Sequence, residues 1–408
     1  MAVLAKIAWR NVGRQRRRSL ITATAMAVGV AMSMAAIALT DGMYGRLFEG
    51  LVRTHLGDVQ VHQADWPKRH ALNASFPEAS TLKALDGLSG AAGIAPRAYG
   101  FALVGLGDQA AGVRLAGVDP VREARVSLVH GRMVQGRYLD AKADHEVILG
   151  RELAQTLHAQ LGDQIVAVTQ AADGSLGNDL FRVVGLFSTG AADLDRGTAF
   201  LHLKDLQELL VIPDRLHEVA LAASARDGAD ALAAEARQAL GGGLEVKTWR
   251  QLDPNAATML SMQDAMAWIL LAIVFAVAAF GVLNTMLMAV FERTHELGVL
   301  RALGLTPAQV VRMVMLESLM LSVVAGWVGI GLGALLDTYL VRHGLDLSAF
   351  VQGFSWAGVS FDPVMRGEIR LDRIWTVAVA LVIVAVVSAI WPAVRAARLQ
   401  PTTAMREG

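Results

Sequence analysis

Four uncharged apolar segments, Ser19–Thr40, Ala265–Phe291, Ser318–Leu336 and Ile374–Val394, divide this 408-residue chain in a lopsided one-plus-three order. Each is long enough to cross a hydrocarbon core of about 30 Å as a helix. Between the first and second lies Asp41–Asp264, which is domain-sized and water-soluble in composition. The expected fold is therefore membrane α-helical, with four transmembrane helices and a large α/β plus β-rich extracytoplasmic domain. A hydrophobic content of 54% and a mean hydropathy of +0.43 exceed the soluble norm because of these segments.

Charge placement orients the chain. The first eighteen residues carry Lys6, Arg10, Arg14, Arg16, Arg17 and Arg18 and no acid, and basic flanks stay in the cytoplasm. Counting crossings from there puts 1–18 inside, 41–264 outside, 292–309 inside, 337–373 outside and 395–408 inside. The spans are 19–40, 265–291, 310–336 and 374–394. Arg395, Arg398 and Arg406 in the tail agree with this order. The 22 residues of Ser19–Thr40 exceed the roughly 7–15-residue apolar core of a cleaved signal peptide, so an uncleaved anchor is expected. Ahead of it, Val3, Leu4, Ile7, Ala8 and Val12 share one side of an amphipathic helix suited to the inner leaflet. There are no cysteines, which excludes disulfides and thiolate metal sites.

The outer domain reads as a discontinuous α/β unit, about 50–125 and 215–250, interrupted by a β-rich insertion at about 126–214. Asp58–His62, Ala98–Val104, Val113–Val118, His217–Ala222 and Leu244–Thr248 read as strands of the first. Ser80–Leu88, with Ser80 or Thr81 as cap, and Gly228–Leu240 read as its helices. The insertion offers strands at Glu146–Leu149, Gln164–Thr169, Phe181–Phe187 and Thr198–Leu201, with a turn-rich loop at Ala171–Asn178.

The spans carry little chemistry. Ionisable residues inside a membrane mark ion or proton pathways, and the four uncharged runs contain none. Asn284 and Thr285 are the most polar residues in mid-span, and Asn284 is expected to make a helix–helix hydrogen bond. Gly329 and Gly333 form a G-x-x-x-G step for close helix packing. Together with Ala27, Ala31 and Ala35 they mark surfaces on which two copies are expected to meet. Flexible methionines, namely Met26, Met32, Met34, Met43, Met259, Met262 and Met266, gather towards the outer ends of the first two spans, and such side chains adapt to irregular apolar ligands. Of these, Met43, Met259, Met262 and Met266 are the candidate contacts for an acyl-chain cargo.

The inner loop is the most informative stretch: FERTHELGVLRALGLTPAQVVRMVMLES, Phe291–Ser318. Leu297, Leu300, Leu303 and Leu305 give a short helix an apolar face, and Gly304 suits its end. Thr306-Pro307 is a cap followed by proline at the first helical position. The pattern is helix, sharp turn, helix. Periodicity leaves two readings open: a plug for a partner's groove, or a connector packed on its own spans.

ERTHELGVLRALGLT resembles the ERxxEIGxxRAxGxx signature of FtsX-like (MacB-type) ABC transporter permeases, through Glu292, Arg293, Glu296, Leu297, Gly298, Arg301, Ala302 and Gly304. Leu297 stands where that signature often has isoleucine. AWRNVGRQRRRSLIT, PAVRAARLQPTTAM and EVILGRELAQTLHAQLGDQI resemble the same family, so the likeness spans nearly the whole chain. DGMYGRLFEGLVRTHLGDVQVHQ is most similar to its lipoprotein-releasing LolC/LolE branch, although the compact Ala171–Asn178 is shorter than the LolC-type carrier-binding hook. The resemblance implies that the eight positions form a coupling helix on a separate ATPase subunit, which holds the ATP and Mg. It also implies a dimer with a second copy or a paralogue, a bacterial inner-membrane location, and work by mechanotransmission. A periplasmic lipoprotein carrier or adaptor is a further implied partner, and no nucleic acid is.

Three functions compete: extraction of lipoproteins or lipids, MacB-like efflux of peptides or drugs, and FtsX-like signalling to an external cell-wall hydrolase. Catalysis within this chain is not expected. No G-x-x-x-x-G-K-[ST] loop, G-x-S-x-G elbow or H-E-x-x-H site occurs, and no cofactor or metal of its own is implied.

Overall fold

The computed structural model describes residues 10, 16–64, 66–142, 144–225, 227–346, 355–356, 359–360 and 364–398. The amphipathic helix expected before the first span and the end of the tail lie outside these residues. The chain divides into two units: Met1–Gly45 with Ser261–Phe350 and Val364–Gly408, and Arg46–Leu260 with Val351–Pro363.

The first unit is built on helices α1 (Arg16–Phe48), α2 (Pro254–Glu292), α3 (Thr294–Ala302), α4 (Pro307–Arg342) and α5 (Leu371–Ala397). All but α3 are long and apolar enough to cross a membrane. Their core joins Met26, Val30 and Met34 of α1, Phe275, Val282 and Met286 of α2, Leu321 and Ala325 of α4, and Val377, Leu381 and Ala385 of α5. Two hydroxyls stitch helices across this apolar interior. Thr22 donates to Thr285 at 2.9 Å, and Ser318 donates to the Ala385 carbonyl at 3.1 Å. The polar mid-span bond expected of Asn284 is thus made by its neighbour Thr285, while Asn284 itself is exposed.

The glycine step does its packing within one chain. A Cβ on Gly329 would meet the Val30 Cβ at 2.7 Å and the Ala27 carbonyl at 2.8 Å; on Gly333 it would meet the Met34 sulfur at 2.6 Å. Ala27, Ala31 and Ala35 are buried in the same chain. The small-residue faces expected to receive a second copy are therefore occupied by α1 against α4, a correction to that expectation. Small residues permit close approach but do not say whose helix approaches.

The second unit is organised by one ten-stranded sheet: β1 (Val59–His62), β2 (Ala91–Leu106), β3 (Gln109–Val118), β4 (Met133–Gly136), β5 (Glu146–Gly150), β6 (Gln164–Gln170), β7 (Leu176–Phe187), β8 (Thr198–His202), β9 (Glu218–Ala223) and β10 (Glu245–Thr248). The order is β10-β1-β9-β2-β3-β8-β5-β7-β4, and β6 joins β7 back to β2. That last pairing closes β2, β3, β8, β5, β7 and β6 into a six-stranded barrel, which leaves no open edge within the ring. The other side of β2 belongs to an open sheet with β9, β1 and β10, covered by the helices Glu78–Leu85 and Ala229–Leu240. The barrel thus takes two strands from before residue 126, so the β-rich part is not a self-contained insertion. The expected strands recur, joined by the unexpected β4 and with several shifted starts, β3 for example beginning at Gln109 and not at Val113. β2 begins at Ala91, well before the Ala98 read from pattern, and Leu176–Asn178 belongs to β7 and not to a loop. The first helix starts at Glu78 after Pro77, not at a Ser80 cap.

Arg97 marks the residue at which β2 exchanges neighbours: it pairs with Glu218 of β9 and with Val118 of β3. Its side chain is 1% exposed and donates to both Glu123 oxygens at 3.0 and 2.7 Å, to Glu218 at 2.8 Å and to the His55 carbonyl at 2.5 Å. Burial alone would lower this guanidinium, but Glu123, Tyr99 and Glu218 outweigh it and hold it well above the ordinary arginine range. His55 lies at the end of Glu49–Leu56, a π-helical stretch that no periodicity announces.

His217 is held neutral beside this node. Its Nδ1 accepts the Tyr99 N–H at 3.0 Å and its Nε2 donates to the Leu72 carbonyl at 2.9 Å, so an added proton would face an N–H donor. Burial lowers its pKa below 6.5, and burial likewise lowers His55 and His62. Stability from these rings is complete above that value. It falls as the pH drops through 6.5, because the unfolded chain binds protons that the folded chain refuses. Thermal unfolding of the full chain should therefore show a lower Tm at acid pH, and His217→Gln should flatten the dependence. The difference between parent and variant isolates the histidine from Asp58 and Glu218, whose carboxyls burial shifts upward with the opposite sign. Equal slopes in both proteins would contradict the assignment.

In the helical unit, Gly329→Val should lower the Tm in detergent by overpacking worth about 1–3 kcal/mol, with no change in oligomeric state. Loss of a dimer at unchanged thermal stability would place Gly329 between copies instead.

Candidate functional site

α3 is the element on which the family signature falls, and the local sequence explains its limits. Arg293 breaks the helical track after α2 with φ −109° and ψ 17°. At the other end Gly304 has φ +102°, a conformation that side chains rarely adopt, and the Leu305 N–H returns to the Leu300 carbonyl at 3.1 Å. Thr306 and Gln309 then form a reciprocal capping box ahead of Pro307, so the helix, turn, helix pattern read from the loop is present.

The eight signature residues do not share one role. Leu297 is buried against Val290 of α2, Val310, Met313 and Val314 of α4, and Ala393, Ala396 and Ala397 of α5, and Gly298 is buried next to it in sequence. Arg293 also turns inward, donating to the Glu317 carboxylate of α4 at 3.1 and 3.3 Å, with both side chains about nine-tenths buried. Arg301 donates to the Ala397 carbonyl in the last turn of α5 at 3.0 Å. Glu292, Glu296, Ala302 and Gly304 are exposed. The leucine face divides as well: Leu297 and Leu300 point inward, whereas Leu303 is 76% exposed and Val299 37% exposed. His295, Val299, Ala302 and Leu303 recur at helical spacing along the uncovered side.

Residues outside the signature complete this site. Glu317 was visible as the one acid in VVRMVMLES, and it proves to be the seat of Arg293. Arg395 stacks its guanidinium over Phe291 and Trp391 at 4.7 and 5.5 Å, joining the ends of α2 and α5.

At the other end of the same unit, the helices outrun their uncharged segments. Asp41 of α1 and Asp337 of α4, each one residue beyond a run, are buried, and with Glu368 and Arg370 they line a cavity of about 10 Å³, the size of one water molecule. One Asp337 oxygen, Oδ1, has no hydrogen-bond partner among the described residues. The absence of charge in the spans thus holds for their middles only.

The methionines separate. Met26 and Met34 are core residues, so their role is packing. Met43 and Met259 are half-buried. Met262 and Met266 are 65% and 68% exposed on α2, on a helix that packs far less of its surface than α1 does. Ile273, Val277 and Phe280 are exposed along the same helix.

Comparison with known proteins agrees with this anatomy. The MacB-like periplasmic core domain matches residues 19–239, and the FtsX-like permease C-terminal domain matches 268–401. The chain is 25% identical to the lipoprotein-releasing system transmembrane protein LolC of Xylella fastidiosa strain Temecula1 over 98% of both chains. It is 24% identical to LolE of Haemophilus influenzae over 97% of both. The macrolide export ATP-binding/permease protein MacB of Shewanella oneidensis is 23% identical, over 83% of this chain and 53% of that one. With a MacB-like domain over more than half its length and an FtsX-like permease domain after it, the chain belongs to the FtsX/MacB-type ABC transporter permeases, as a multi-pass membrane subunit.

Proposed function

We propose that this chain is the permease subunit of an ATP-driven, mechanotransmission-type transporter that extracts lipoproteins or lipids from the outer leaflet of a bacterial inner membrane. The observation that carries this reading is the end-to-end match to LolC and LolE, in a chain whose spans have no charge at mid-depth. The match to only about half of MacB, whose name includes an ATP-binding part, supports a separate ATPase subunit holding ATP and Mg. The docking surface is the uncovered side of α3, His295, Val299, Ala302 and Leu303 with Glu296 at its rim. The termini are cytoplasmic and the β-rich unit periplasmic, where a lipoprotein carrier or adaptor would receive cargo. Reporter fusions at Gln170 and Leu305 should report outside and inside respectively.

Leu303→Asp and Glu296→Arg should each weaken binding of the partner ATPase at least about tenfold while membrane insertion is retained, the loss expected for a truncated interface anchor. Purification with that ATPase followed by mass spectrometry should recover lipoproteins, and Met262→Asp or Met266→Asp should lower cargo release while ATP hydrolysis continues. Recovery of peptides or drugs instead favours a MacB-like exporter, and recovery of a cell-wall hydrolase favours a signalling role.

A second copy or paralogue belongs against α2. Asn284 is exposed there, with Val277 and Phe280 along the same helix and Gly281 one turn away, where a Cβ would meet nothing. An amide turned towards hydrocarbon is stabilised by a hydrogen bond to another helix. Because the chain has no cysteine, Val277→Cys and Asn284→Cys should cross-link two subunits, whereas Ala27→Cys and Gly333→Cys should not. A monodisperse monomer bound to one ATPase subunit would refute the pairing.

A further inference from the structure

α3 is bonded to α4 at its first end and to α5 at its last, and this determines where a push on it goes. The non-helical backbone at Arg293 means that α3 is not a rigid extension of α2. At that joint Arg293 grips both oxygens of Glu317, on the third turn of α4. Eight residues on, about 12 Å along the helix, Arg301 grips the Ala397 carbonyl, which lies at the end of α5 where the last carbonyls have no partner within their own helix. Leu297 lies between the two grips, in one apolar cluster with Val310 and Val314 of α4 and Ala393 of α5. A cavity of about 60 Å³ lies beside the Arg293–Glu317 pair, lined among others by Met286, Leu300 and Met313. That void leaves α3 room to rock about its grips without overpacking the core.

We infer that Arg293 and Arg301 are positioning residues: they clamp α3 to α4 and α5, so that force applied to the uncovered side of α3 is delivered to those two spans. The inference rests on the docking reading of α3, and it divides the family signature into an inward clamp (Arg293, Leu297, Gly298, Arg301) and an outward face. A buried ion pair suits a clamp because separating it strands a charge, whereas an apolar contact slides at little cost.

The test has two arms. In the permease alone, a spin probe on Ala302→Cys reads the mobility of α3. Arg293→Gln, Glu317→Gln and Arg301→Leu should each raise it, and the exchanged pair Arg293→Glu with Glu317→Arg should restore it. In the complex with the ATPase, a fluorophore on the exposed Leu335→Cys of α4 reads the response to ATP. The single variants should keep the ATPase dissociation constant within about threefold of the parent. Their nucleotide response should fall about tenfold or more, as for loss of a buried ion pair. Parent-like probe mobility in all variants, or a full nucleotide response in both Arg293→Gln and Glu317→Gln, would overturn the clamp. A weakened dissociation constant would instead put Arg293 on the docking surface and overturn it too. If the parent permease binds no ABC ATPase, the docking reading fails and the delivery of force fails with it, while the mobility arm still decides whether α3 is clamped.

Discussion

The β-rich unit depends on one buried arginine. β2 is a single strand of sixteen residues that serves two sheets, pairing with β9 before Arg97 and with the barrel after it. A strand shared in this way can slip, since a one-residue shift reverses every side chain between the two faces. Arg97 prevents the slip by bonding Glu218 on one side, Glu123 in the helix after β3 on another, and the His55 carbonyl on the third. Buried ion groups are seldom more stable than apolar residues of the same shape, but losing one partner costs about 3–5 kcal/mol. The cluster therefore selects one register, one placement of the Pro120–Glu123 helix and one exit for the π-helical stretch, more than it adds net stability. Neutral His217, which accepts the N–H of Tyr99 two residues along β2, enforces the same register by a different chemistry.

Much of this was legible in the sequence wherever the signal is local. The spans followed from uncharged length, most strands from alternation, and the turn of the inner loop from Gly304 and Thr306-Pro307. What escaped is non-local or contradicts local propensity. The first part of β2 contains Gly93 and Pro96, which read as strand breakers, yet the strand survives because β9 pairs along it. Closure of the barrel depends on the parallel pairings of β3 with β8 and β5 with β7, between segments with unrelated sequences, and no periodicity encodes which strands meet. The signature motif was found, but not the direction of its arginines. That direction is set by an acid on α4 and a carbonyl on α5, and helical spacing cannot supply either.

Small residues taught the opposite lesson. Ala27, Ala31, Gly329 and Gly333 were correctly read as a close-packing face, and wrongly given to a second copy. A G-x-x-x-G step lowers the distance at which two backbones can meet and is indifferent to whether they belong to one chain. The intrachain use of α1 against α4 leaves α2 as the span with most apolar surface and an unburied amide, which is why the proposed second copy is assigned to α2.

The distribution of charge in the helical unit bears on how such a subunit works. Among the described residues its buried charges gather at two levels, Arg293 with Glu317 on one side of the apolar core and Asp41 with Asp337 on the other. Between these levels the interior is mainly Met26, Val30, Met34, Phe275, Val282, Leu321 and Leu381, with hydroxyls such as Ser33 and Ser322 but no charged side chain among the described residues, so it presents neither a proton relay nor an ion path. Such a core resists shear because it is close-packed, and its ionic groups sit where helices meet turns and not along a pore. A pump that passed polar cargo between the helices of one subunit would need the reverse arrangement. Polar joints at the ends and an apolar, packed middle suit the lever of the proposed function, in which a displacement entering at α3 is carried along stiff helices.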